Sequence, residues 1–333
     1  MQTAAVSFQP DRLAPSPYSW PRMLVWSSLI LYPFVPWLLT ESWKLSSPLA
    51  VLALAWSVSG PVAAWFSIRA KPDRAAGSAA VFEAISATVA PPFFAIFGVA
   101  LSFAGWLPYR TYIWFGLLAG VAVLASVAPA PVVTTRRRPA IHRVHYAAAI
   151  PLFVFLIAHV ANHVMAIDGY DAHVHVQNVL RVVYRNRLVE PLLLVAVVTQ
   201  VVTGAMLVWN ARGSHFTPMR ALQFVSGAYL SMFFFSHVNA VLVFGRWLQG
   251  VDTTFKWATG GPAGLLASGS AALLPYYLLS VLAFFMHAAC AGRWALAPIA
   301  GNRAAQRAAW VVGAAGCLVT LALLAPLTGF RLR

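Results

Sequence analysis

Histidine is the residue type through which this chain could carry out chemistry, because a neutral imidazole is a common metal ligand. All nine histidines follow residue 141, and three of them lie deep inside long apolar segments: His159, His237 and His287. An ionisable side chain is costly at membrane depth, so each of the three is a candidate functional residue. The alternative for any single one is a structural histidine, hydrogen-bonded to a carbonyl of a neighbouring helix.

His159 and His237 lie at similar depths in two predicted helices that run in the same direction. His159 is about 12 residues and His237 about 16 residues into its helix, a difference of about one turn. Two imidazoles at one level on facing helices can ligate a b-type haem iron from both sides. We therefore predict one haem between them, with the other nitrogen of each ring donating to a carbonyl one turn back. Gly227, ten residues before His237, would let the flat macrocycle approach the backbone.

His287 belongs to a predicted helix of the opposite direction and therefore to the other half of the bilayer. Its expected partner at the same level falls near residue 200, which is a glutamine. Glutamine is not among the usual axial ligands of haem iron. His287 is thus a candidate cofactor-binding residue, but a second haem at its level is predicted to lack one histidine.

Two polar residues near the predicted haem could bind its carboxylates or interact with a quinone. His163 lies one turn after His159 on the same face, and could bind a haem propionate or a quinone carbonyl. The alternative is a polar residue that emerges at the headgroup level. Glu190 begins a predicted helix on the outer side and could accept quinol protons, or it could simply interact with the helix dipole.

Other chemistry is not indicated by the sequence. His173 and His175 lie in a predicted outer loop near two aspartates; a metal site is one interpretation, but solvated side chains are the more usual one. The chain has no covalent haem-attachment motif, no phosphate-binding glycine loop and no cysteine cluster for an iron–sulfur centre. A redox substrate would have to be lipid-soluble or handled by a partner.

The composition requires a membrane around the elements that position these histidines. Hydrophobic residues make up 60% of the chain and charged residues only 9%, against about 25% charged residues in soluble domains. Apolar segments of roughly the length needed to span a bilayer recur along the chain. We predict an all-α, polytopic transmembrane helix bundle of about nine spanning helices, at 22–40, 48–68, 80–104, 111–133, 147–167, 189–210, 221–245, 272–293 and 308–328.

The chain divides into three parts by composition. Residues 1–21 are predicted to be a disordered cytoplasmic tail, 22–133 a four-helix membrane part of unknown role, and 140–333 a five-helix part that carries every histidine. Fourteen Lys and Arg residues lie on the side of the N-terminus and nine on the other side. This bias predicts a multi-pass protein of the cell inner (cytoplasmic) membrane, with the N-terminus in the cytoplasm and the C-terminus outside.

The five-helix part resembles the cytochrome b membrane anchor of succinate dehydrogenase and fumarate reductase, in its single-chain form with five helices and two haems. The resemblance covers about residues 140–330 and rests on spacings: Pro151 eight residues before His159, Gly227 ten before His237, Gly204 four after position 200, and His287 followed by Gln306-Arg307. It implies that His159 and His237 bind the outer haem, and that position 200 and His287 bind the cytoplasmic one. Gln200 and the four extra helices depart from the family.

The leading hypothesis is a membrane b-type cytochrome that transfers electrons between one bis-histidine haem and a lipid-soluble quinone. It would be at most a non-catalytic electron-transfer subunit, and the resemblance implies flavoprotein or iron–sulfur partners. The net charge of +15 lies in short loops between apolar segments, so the partner is the lipid bilayer and no nucleic acid is expected. The alternatives are a haem-free structural or scaffold protein that retains the anchor fold, and a transporter, for which Glu83 is the main intramembrane charge.

Overall fold

The computed structural model describes residues 20–44, 48–70, 75–127, 139–211 and 214–332. Within these ranges the regular structure is entirely helical, which confirms the predicted all-α bundle. Most of the predicted N-terminal tail lies outside the described residues, and so does the basic stretch from Thr134 to Arg138.

Twelve α-helices make up the described chain. They are α1 (Trp20–Leu31), α2 (Phe34–Lys44), α3 (Pro48–Ala70), α4 (Ala75–Phe103), α5 (Arg110–Ser126), α6 (Pro139–Val164), α7 (Tyr170–Tyr184), α8 (Val189–Ala211), α9 (Pro218–Val238), α10 (Phe255–Ala258), α11 (Gly264–Ala267) and α12 (Leu273–Thr328). Short 3-10 turns occur at Leu107–Tyr109 and Met165–Ile167, and a π-helical stretch, Asn239–Leu248, extends α9.

Seven helices in the described part of the chain are long and apolar enough to cross a membrane, and the pair α1 and α2, bent by 63°, adds an eighth span. The longest of them, α12, is interrupted at Gly301, whose φ of 80° and ψ of 159° are not helical. Counting its two arms, 273–300 and 302–328, separately, these segments correspond to the nine predicted ones. The chain is a multi-pass membrane protein.

Two helices are longer than predicted. α6 begins at Pro139 and not near 147, because proline suits the first turn of a helix and the following polar residues continue it. The predicted loop 294–307 is helical on both sides of Gly301, which makes the reversal with a single left-handed residue. The first difference moves His142 and His145 from a loop into α6.

Four helices form a ring around the centre of the five-helix part. α6 packs against α8 and α12, and α9 packs against the same two helices, so α6 and α9 lie diagonally opposite. The four-helix part is joined to this ring, because α3 and α4 pack on the outer side of α9. Buried side chains of both parts mix at this contact, for example Ile68 and Val81 with Phe224 and Val225.

The two arms of α12 form a tight antiparallel hairpin. A Cβ atom added to Gly316 would lie only 2.2 Å from the Cβ of Phe285 on the other arm. Near the reversal, Arg293 Nε donates to Gln306 Oε1 at 2.7 Å. Past the second arm, the amide of Leu332 donates to the carbonyl of Ile167 at 2.8 Å and so ties the C-terminal end to α6.

We expect Gly316→Ala to destabilise the protein by about 1–3 kcal/mol, because the added methyl group cannot fit against Phe285 without moving one arm. Thermal unfolding in detergent measures the effect. The matched control is Gly292→Ala in the first arm, where an added Cβ meets no atom within 4 Å. Equal unfolding temperatures for the two variants would contradict this packing.

Candidate functional site

The structure brings four histidines together where α6, α7 and α9 meet. His159 Nε2 lies 3.1 Å from His163 Nε2, and His163 Nδ1 lies 3.4 Å from His173 Nε2. The ring centres of His159 and His237 are 6.2 Å apart. His159, His163, His173 and His237 are called the histidine cluster below. The sequence predicts His159 and His237 as haem ligands and His163 as a neighbour of the haem, and it predicts a loop position for His173.

The spacing of residues along α6 and α7 builds the hydrogen-bonded side of the cluster. His159 and His163 are four residues apart and therefore share one face of α6. α7 is an amphipathic helix in the place of the predicted outer loop, and its buried face carries His173, which is fully buried. Asn162 Nδ2 lies 3.2 Å from His173 Nε2. The expectation of a solvated side chain is wrong for His173, although His175 is exposed.

The separation of His159 and His237 fits ligation of one iron from opposite sides. Such rings have centres about 6 Å apart, because each metal–nitrogen bond is about 2 Å and the nitrogen lies roughly 1 Å from the ring centre. Phe155 stacks on His159 at 5.3 Å and Phe233 stacks on His237 at 5.1 Å, so an aromatic ring supports each imidazole.

The predicted carbonyl partners of these two rings are wrong. Among the hydrogen bonds of the described residues, neither His159 nor His237 donates to a main-chain carbonyl; His159 Nε2 instead faces His163. Iron ligation by His159 would exchange its contact with His163 for a bond to the metal.

Buried donors without an acceptor lie beside the cluster. Arg331 Nε and Nη2 are buried and have no hydrogen-bond partner among the described residues. The Arg331 guanidinium lies 5.8 Å from the ring centre of Phe255, and that ring is 5.4 Å from His163. A haem carries two carboxylates at one edge, so a nearby cation with unused donors fits that group.

The histidines do not form a centre for a bare metal ion. In the described ranges, no group of three or more histidine, cysteine, aspartate or glutamate side chains is arranged to hold one. A tetrahedral zinc site needs at least three protein ligands. A haem needs only two from the protein, since the macrocycle supplies the other four nitrogens.

His287 and Gly227 lie together at another level of the bundle. A Cβ atom on Gly227 would be 2.8 Å from His287 Cε1, so this glycine makes room for that ring. It stands about 15 Å along α9 from His237, and its role beside the His237 haem stays a prediction. The ring centre of His145 is 6.5 Å from that of His287. The sequence prediction missed His145 because it began the apolar segment two residues later.

Glu190 lies at the start of α8, as predicted, and forms an ion pair with Arg246 of the π-helical stretch. Both side chains are about one-third exposed. The carboxylate therefore ties α8 to the end of α9, and its role in accepting quinol protons stays a prediction.

A cavity of about 300 Å³ lies between the four-helix part and the ring of helices. Its walls include Tyr32, Phe94 and Arg110 from the first part and Tyr276 from α12. The ring of Tyr276 is 4.8 Å from Phe233, which in turn stacks on His237. One wall of the cavity is thus two aromatic rings away from the histidine cluster.

The fold and its buried polar residues define a multi-pass, all-α membrane protein with a histidine cluster inside its second part. Comparison with models of protein families, with curated proteins and with solved structures finds no match for this chain. The resemblance to the cytochrome b anchor therefore rests on the residue spacings alone and stays a hypothesis.

The stability of the protein is expected to fall as the pH decreases from about 6.5 towards 4. Burial lowers the pKa of His173 to about 4, and the charges of His159, Arg181 and Arg331 act in the same direction. The unfolded chain, with a pKa of about 6.5, binds this proton more readily, so the native state loses stability over that interval. Thermal unfolding at pH 7 and pH 5 measures the loss.

The control for this prediction is His173→Gln, whose side-chain amide can bond to Asn162 but does not titrate. We expect the decrease in unfolding temperature between pH 7 and pH 5 to be smaller in this variant than in the wild type. An identical decrease in both proteins would show that His173 does not contribute.

Proposed function

We propose that the chain is a membrane b-type cytochrome that holds one haem between His159 and His237 and exchanges electrons with a quinone. The observation that carries this proposal is the 6.2 Å separation of the two rings on helices that lie diagonally across the ring of four. Diagonal helices leave space between them, and cofactor sites of bundles are built from side chains that project into that space.

Each residue of the site has a role in this proposal. A bound haem supplies one-electron redox chemistry. His159 and His237 would hold its iron, and Phe155 and Phe233 would restrict the rotation of the two imidazoles. The carboxylates of the group would interact with His163 and Arg331 at the end of α6.

We also propose that the cavity between the two parts takes the quinone headgroup. Its volume is at the lower end of the range for small-molecule sites. The Arg110 guanidinium and the Tyr32 hydroxyl lie in its wall and could donate hydrogen bonds to quinone carbonyls. This proposal gives the four-helix part a function. The involvement of Glu190, whose carboxylate is paired with Arg246, stays a separate prediction.

The location and orientation are inferred from the charge distribution. The excess of Lys and Arg on the N-terminal side supports a cytoplasmic N-terminus and an outer C-terminus in the cell inner membrane. The histidine cluster and the quinone cavity would then lie towards the outer face. A soluble electron donor or acceptor, such as a flavoprotein or iron–sulfur subunit, is proposed only from the family resemblance.

The purified protein is expected to show the reduced-minus-oxidised spectrum of a low-spin b-type haem when it is expressed in haem-replete cells. His159→Ala and His237→Ala should each lower the haem content of this site by more than about tenfold, because one axial ligand is lost. His175→Ala is the matched control, since that side chain is exposed on α7.

A wild-type protein without this spectrum would remove the cytochrome proposal. The haem-free scaffold would then be the favoured function, particularly if both histidine variants were expressed and folded like the wild type.

Filling the cavity is expected to slow reduction of the haem by a quinol. Ala95 lines the cavity, so Ala95→Phe should reduce the apparent affinity for the quinol by about tenfold, or roughly 1.4 kcal/mol. Ala100→Phe, at an exposed position of the same helix, is the control. Stopped-flow absorbance of the haem measures the rate, and unchanged kinetics in Ala95→Phe would place the quinone elsewhere.

A further inference from the structure

We infer that His145 and His287 form a second bis-histidine site, which takes a second b-type haem at the opposite end of the bundle from the histidine cluster. The inference rests on the proposed function in that it requires the chain to bind haem. It is independent of His159 and His237, because it depends on a different pair of rings and on different supporting residues.

The two rings have the separation that one iron requires. The ring centres of His145 and His287 are 6.5 Å apart and their planes are inclined by 70°. The expected separation for two axial imidazoles is about 6 Å, as for the first pair. His145 lies on α6 and His287 on the first arm of α12, two helices that are neighbours in the ring.

The hydrogen bonds of His287 leave its Nε2 atom available to bind a metal. His287 Nδ1 lies 3.1 Å from the carbonyl oxygen of Gln223. A carbonyl can only accept, so Nδ1 carries the proton and Nε2 keeps its lone pair. Metal-ligating histidines commonly make this bond with the nitrogen that does not bind the metal.

His145 has the same tautomer for a related reason. Its Nδ1 lies 2.8 Å from Thr203 Oγ1. The hydroxyl hydrogen of Thr203 is already donated to the carbonyl of Thr199 at 2.5 Å. Thr203 must therefore accept from His145, which leaves Nε2 of His145 unprotonated. Both rings are fixed with a free lone pair on Nε2, the nitrogen that a haem iron would use.

A glycine lies against each of the two imidazole rings. Gly227 cannot carry a side chain, because its Cβ would lie 2.8 Å from His287 Cε1. A Cβ on Gly204 would lie 3.6 Å from His145 Cε1, in ordinary contact. Glycine at position 227 therefore lets α9 lie directly against the His287 ring, and Gly204 places α8 in contact with the His145 ring.

Gln200 supports this site from behind. Its Nε2 donates a hydrogen bond to the main-chain carbonyl of His145. In the sequence, Gln200 stands where a second haem ligand is expected. In the structure, Gln200 instead positions His145, which we propose as that ligand. Glutamine can do this because its side chain has an amide donor. The proposed iron ligand is then on α6, the neighbour of α8.

α6 carries one proposed ligand of each haem site, His145 for the second haem and His159 for the first. His145 and His159 are fourteen residues apart on α6, nearly four turns, so they lie on about the same face and about 21 Å apart along its axis. A haem iron needs only two protein ligands because the macrocycle supplies four nitrogens, and within the described residues no third histidine, cysteine or carboxylate joins this pair.

The test is the number of haems per chain, from pyridine haemochrome absorbance and protein quantification. We expect two in the wild type, and one in His145→Ala and in His287→Ala. The control is His142→Ala, an exposed position one turn earlier on α6. His142→Ala should retain two, whereas two haems in His145→Ala or in His287→Ala would overturn the assignment.

The failures of this inference and of the proposed function are distinguishable. A wild type with one haem, lost in His159→Ala and retained in His145→Ala, overturns the inference and leaves the proposed function intact. A wild type without haem overturns both. If His145→Ala does not fold, a reductive titration of the wild type decides: uptake of two electrons per chain by the b-type absorbance supports the second site, and uptake of one overturns it.

Discussion

The need to satisfy buried polar groups inside the protein governs this structure. Lipid offers no hydrogen bonds, so a polar side chain at membrane depth must find its partner on another helix or in its own. The pairs His163–His173 and His145–Thr203 each link different helices. The carboxylate of Glu83, almost fully buried in α4, is met by Arg22 of α1 at 2.7 Å. That pairing weakens the transporter hypothesis, since the charge is engaged in holding two helices together.

The same constraint explains how a bundle of such apolar helices can hold polar imidazole rings in its interior. Close contacts between small residues hold the periphery, as at Gly316 against Phe285. In the ring of four helices, the diagonal pair α6 and α9 does not pack closely, and imidazoles project into the space between them. The rings are held by stacking and by hydrogen bonds, which also determine the nitrogen that is free. Under the proposed function, such a site would be preorganised for a flat cofactor.

The sequence predicted the spans well, because apolar segments near 20 residues are long enough to be recognised without any partner. It also predicted that His159 and His237 would meet, since helical rise converts residue number into depth. It missed His145, because the polar residues at the start of α6 made the predicted apolar segment begin too late, at residue 147. It placed His173 in solvent, since an amphipathic helix that folds back onto the bundle has no apolar run.

By itself, then, the sequence determined the helical class, the membrane environment and the similar levels of His159 and His237 along their helices, all of which depend on local composition and helix geometry. Only the tertiary structure decided which histidines pair: His145 with His287, and Gly227 beside His287 in place of His237. Depth along a helix is a one-dimensional quantity that residue counting supplies. Rotation about the axis, and the identity of the neighbouring helix, arise from packing between residues far apart in the chain.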